Sequence, residues 1–95
     1  MTDNANFVKE IERQMQKRHD ALVRFRVIAE VADPDDQIKY YQFIEDVMAK
    51  DHVIREKLTA YAESDDVDRS SLKQEIEALH HVLEDAIEAA QLRIN

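Results

Sequence analysis

The sequence predicts an all-α fold, an up-down-up antiparallel three-helix bundle with residues 1–95 as one domain. Three observations carry that expectation. The chain has no glycine, no tryptophan and one proline among 95 residues. This nearly excludes a hairpin-rich β fold or a glycine-rich phosphate loop. Apolar residues recur at steps of three and four over long stretches, as on one face of a helix. Two polar breaks, "ADPDDQ" and "ESDDVDRSSL", divide the chain into three stretches of similar length.

The first helix is expected near 5–32. Its seam reads Val8, Ile11, Met15, Arg18, Leu22, Phe25, Ala29, Ala32. "ADPDDQ" ends it, because the residue before a proline is pushed out of helical geometry. The second helix, near 34–63, starts at the same place. Asp33 can cap it, Pro34 suits the first helical position, and Asp35 and Asp36 favour the positive end of the dipole. Its seam reads Tyr40, Ile44, Val47, Asp51, Ile54, Leu58, Tyr61. The third helix is expected near 69–93, with Asp68 as cap and Val67 and Leu72 as a hydrophobic staple. Ser71 with Gln74 is a competing capping box. Its seam reads Leu72, Ile76, Leu79, Leu83, Ala86, Ala90.

Two seam positions are charged, Arg18 and Asp51. Folding the first two helices back at Asp33–Pro34 pairs 8 with 61, 11 with 58, 15 with 54, 22 with 47 and 25 with 44. The same register sets Arg18 against Asp51. They are expected to form a buried polar layer closed by Leu83. Such a pair contributes little net stability after desolvation, so its expected role is to fix register. A one-heptad slip would leave both charges facing hydrocarbon.

No catalytic constellation is legible, and the expectation is a non-enzyme. Without glycine there is no sharp nucleophile turn, and every helix face carries acids. There are no cysteines, so thiolate sites and disulfides are absent. The strongest metal-like pattern is Glu77-x-x-His80 with Glu84 one turn on. Helical di-iron sites need two Glu-x-x-His motifs and two further glutamates. The other helices offer Glu12-x-x-Met15 and Glu45-x-x-Met48 instead, and the register is expected to bring Arg55 close to His80. The expectation is therefore no metal and no cofactor, with a metal- or small-ligand-binding role for Glu77, His80 and Glu84 as the alternative. His19 is placed beside the seam, and His52 and His81 outside it.

Val23, Val27 and Val31 recur every four residues on the side of the first helix away from its seam. Val31 pairs, in the same register, with Ile38. Four aliphatics at one end of a bundle make a patch rather than a scatter. This candidate interaction surface predicts a small helical interaction or structural module that self-associates as a homodimer or docks a protein partner. Pairing of the helices between chains is a further arrangement the heptads allow.

The net charge is −8, which argues against non-specific nucleic-acid binding. Residues 1–32 hold six basic against five acidic side chains, 33–64 four against eight, and 65–95 three against eight. The first helix is thus the electrostatic partner of the other two. No secretory signal is visible and no run approaches the roughly 20 apolar residues of a membrane span, so no membrane partner and a cytoplasmic location are expected.

Overall fold

The computed structural model describes residues 2–94, and the side chains of 5–93 apart from residue 66. It is an all-α three-helix bundle of α1 (Thr2–Glu30), α2 (Pro34–Glu63) and α3 (Asp66–Ile94). The molecule measures 50 × 18 × 16 Å. That length is about what 30 residues reach at 1.5 Å each, so the helices lie side by side. Pairs across the bundle set the register. Phe7 packs on Tyr61 at 5.1 Å between ring centroids and Phe25 on Phe43 at 5.4 Å, which makes α1 and α2 antiparallel. Lys57 pairs with Glu75 across the second turn, and Lys73 lies over the Phe7 ring, so α3 runs back antiparallel to α2 and parallel to α1. The middle helix packs closely on both neighbours, whereas α1 and α3 meet over fewer residues.

Both turns are made without a left-handed residue, as a chain without glycine requires. Among the described residues none has positive φ. Asp33 (φ −63°, ψ 153°) and Ser64 (φ −83°, ψ 164°) instead leave the helix in extended geometry. Pro34 takes the first helical position of α2, where its missing N–H costs nothing. The Asp33 side chain makes no cap bond there, and Gln37 Nε2 reaches back to the Glu30 carbonyl instead. At the second turn Ser64 Oγ donates to the Tyr61 carbonyl. The start of α3 differs from expectation. Asp65, not Asp68, is the cap, and its Oδ1 accepts the Asp68 backbone N–H at 3.3 Å. Asp66, Val67 and Asp68 therefore form the first turn. Val67 is 82% exposed, so no staple forms with Leu72. The first helix also stops at Glu30, two residues early, because Val31 and Ala32 close tighter three-residue turns onto Ile28 and Ala29.

The core follows the middle of the α1 and α2 seams, with Ile11, Met15, Leu22, Phe25 and Ala29 facing Ile44, Val47, Ile54, Leu58 and Tyr61, while Val8, Ala32 and Tyr40 at the seam ends are only half-buried. The third seam needs correction. Ile76 and Leu83 are buried, but so is Ile87, which lies outside the expected seam, while Leu79 and Ala86 are only half-buried. Ala21 of α1 is buried as well. It lines, with Ile87, the cleft between α1 and α3. Burying isoleucine in place of alanine removes more apolar surface from water, which favours this rotation of α3.

Candidate functional site: a buried polar layer and an exposed valine strip

The bundle centre is polar. The Arg18 side chain is 1% exposed. Its Nε and Nη2 both donate to Asp51 Oδ1, at 3.0 and 2.8 Å. Its Nη1 donates to His80 Nδ1 at 2.6 Å and to Glu84 Oε1 at 3.0 Å. One guanidinium therefore binds acceptors from both other helices. The sequence-expected layer contained Arg18, Asp51 and Leu83. The structure places Leu83 in the core and adds His80 and Glu84 as the α3 contribution to the polar group. The cation beside His80 is Arg18, not Arg55. Arg55 lines the groove between α1 and α2 with Met15, His19 and Asp51.

The Arg18–His80 bond assigns the tautomer. A guanidinium has only donors, so His80 Nδ1 must accept and the ring is neutral, with its proton on Nε2. Burial pushes the His80 imidazole below its ordinary value, and the Arg18 charge adds to this. Glu84 and Asp51 pull the other way, and the neighbouring His81 reinforces the lowering. Desolvation and the facing cation outweigh the two carboxylates. No buried side-chain N or O is left without a partner among the described residues.

This arrangement bears directly on the ligand line Glu77, His80 and Glu84. Two of its three donor groups, His80 Nδ1 and Glu84 Oε1, already hold the Arg18 cation. No cluster of three or more His, Asp or Glu suited to a metal occurs among the described residues. His52 makes an exposed pair with Glu56 at 2.6 Å, and the exposed His81 ring lies tilted beside that of His80, 5.5 Å between centroids.

The four aliphatics lie on the surface. Val23 is 49% exposed, Val27 59%, Val31 85% and Ile38 57%. Val23 and Val27 belong to α1, Val31 to the turn after it, and Ile38 to the first turns of α2. The core closes without them. Tyr41, Met48, Val53, Val82 and Leu92 are exposed as well, and exposed apolar side chains are ordinary on a protein surface. Among the described residues no helix is long and apolar enough to cross a membrane.

No family model, curated protein or solved structure matches this chain.

Proposed function

We propose that this chain is a non-catalytic helical interaction module, working in the cytoplasm, that self-associates through the Val23–Val27–Val31–Ile38 strip. The observation that carries the reading is the exposure of all four residues beside a core that is complete without them. β-Branched residues are not favoured on a solvated helix, so Val23 and Val27, one turn apart on α1, need a reason beyond helix propensity.

A second copy fits the strip by symmetry, since most soluble oligomers use a two-fold contact. A two-fold axis through Val27 sets Val23 against Val31 of the other copy and Val27 against itself. It also leaves Arg26 and Glu30 of opposite copies about 3 Å apart along the helix axis, on the same flank. Opposite charges thus rim an apolar centre, the usual anatomy of an interface. Each valine fully buried contributes about 1.5 kcal/mol. The strips of two copies together supply several kcal/mol before the cost of association is deducted.

Sedimentation of the intact protein and of Val27→Glu tests this. The intact chain should be dimeric at high micromolar concentration, and Val27→Glu a folded, helical monomer. A monomeric intact protein under those conditions excludes self-association. A Val27→Glu chain that unfolds would assign Val27 to the core.

A further inference from the structure

The Arg18 layer is asymmetric in a way that pH can address. The hold of α2 on Arg18 is a carboxylate, Asp51, accepting two bonds. The hold of α3 is a neutral imidazole and a carboxylate, one helical turn apart, sharing a single guanidinium nitrogen. His80 Nδ1 accepts from Arg18 only while it carries no proton. A proton arriving there would face an N–H donor 2.6 Å away, and two donors cannot share one hydrogen bond. The protonated ring has another partner at hand. Glu84 Oε1 lies 3.8 Å from His80 Nδ1, one turn along the same helix.

We propose that protonation of His80 exchanges its bond to Arg18 for a His80–Glu84 pair within α3, and so weakens the hold of α3 on an α1–α2 hairpin that keeps its Arg18–Asp51 pair. The fold prepares this outcome. The α1–α3 interface is the least extensive in the bundle. It is an open cleft in which Lys17, Arg24 and Glu88 surround Arg18 and Glu84. The other charges facing the layer are Asp51 from α2, with Arg55 and His52 further along its groove, and His81 on α3.

The direction in pH follows from linkage. The folded value of His80 is lowered relative to an ordinary histidine near 6.5. As pH falls, the unfolded or opened chain takes up the proton first. The stabilisation from neutral His80 is whole above about 6.5 and is lost as pH falls through the lower folded value. This is independent of the valine strip, so the two readings fail separately.

Two measurements on the full chain decide it. The first is the ¹⁵N chemical shift of the His80 ring nitrogens through a pH titration of the unaltered protein. Nδ1 should be unprotonated at neutral pH, and the ring should titrate below the ordinary histidine value. The second is amide hydrogen-exchange protection at about pH 7.5 and about pH 5, spanning the histidine range. Protection in α3 should fall at least about tenfold relative to the α1–α2 hairpin, a detectable sub-global opening. His80→Asn, whose amide oxygen takes the place of Nδ1 but binds no proton, should abolish that selective fall. A proton on Nδ1 at neutral pH, a titration at or above the ordinary value, or an equal loss of protection in all three helices would overturn the proposal. The wild-type titration decides alone should His80→Asn fail to fold.

Discussion

Arg18 is tolerated in a hydrophobic seam because three acceptor groups converge on it, and the consequences of removing it follow from what is left behind. Arg18→Ala strands Asp51, whose side chain is 17% exposed, and frees His80 and Glu84. A loss of roughly 3–5 kcal/mol is expected, the range for breaking a buried pair by one partner. Glu84 is 40% exposed and can hydrate, so most of that loss comes from Asp51. Arg18→Leu combined with Asp51→Leu should therefore regain part of the stability. Adding His80→Leu, which removes the remaining half-buried acceptor, should regain more. Urea melts near neutral pH measure all four chains. A neutral effect of Arg18→Ala would mean that the layer is hydrated in solution.

Helix starts illustrate how a cap differs from an acidic residue in the first turn. Asp65 caps α3 through the Asp68 N–H, whereas Asp33, at the same position before α2, makes no side-chain cap bond. Asp65→Ala should cost about 1 kcal/mol, as cap removal does. Asp33→Ala should cost less, because proline and Gln37 already shape that start. Asp68→Ala should cost only the few tenths expected of a charge near the helix dipole. For a chain of this size, about 1 kcal/mol shifts the thermal midpoint by roughly 4–8 °C, so calorimetry separates the three. Equal shifts for Asp65→Ala and Asp68→Ala would return the cap to Asp68.

Across the whole molecule, charge at the strip offers a test of partner geometry that hydrophobic truncation does not. In the proposed two-fold contact through Val27, Arg26 of one copy would face Glu30 of the other. Arg26→Glu should weaken the dimer, with both copies then presenting like charges. Arg26→Glu with Glu30→Arg should restore it, because the pairs re-form with reversed sign. The effect should shrink as salt rises, since rim pairs are screened within about 8 Å at physiological ionic strength. Sedimentation equilibrium of the three chains at two salt concentrations checks this. A double variant no tighter than Arg26→Glu would exclude that rim, and with it this two-fold axis.

The all-α class, the two breaks, the α1 and α2 seams and the pairing of Arg18 with Asp51 were determined by the sequence alone. A short proline turn leaves two long helices one antiparallel register, so matching apolar stripes and two opposed charges suffice to find it. The rotation of α3 was decided only in the tertiary structure. Its apolar residues, among them Ile76, Leu79, Leu83, Ala86, Ile87 and Ala90, form a stripe broad enough to allow more than one facing direction. The observed choice differs from the heptad seam by roughly 45°, at 100° per residue. It buries Ile87 ahead of Ala86 and places His80 and Glu84 on Arg18. Apolar periodicity specifies which stripe is buried but not its centre. Here the centre depends on volumes and hydrogen-bond partners supplied by the other two helices, information that exists only once all three are packed together.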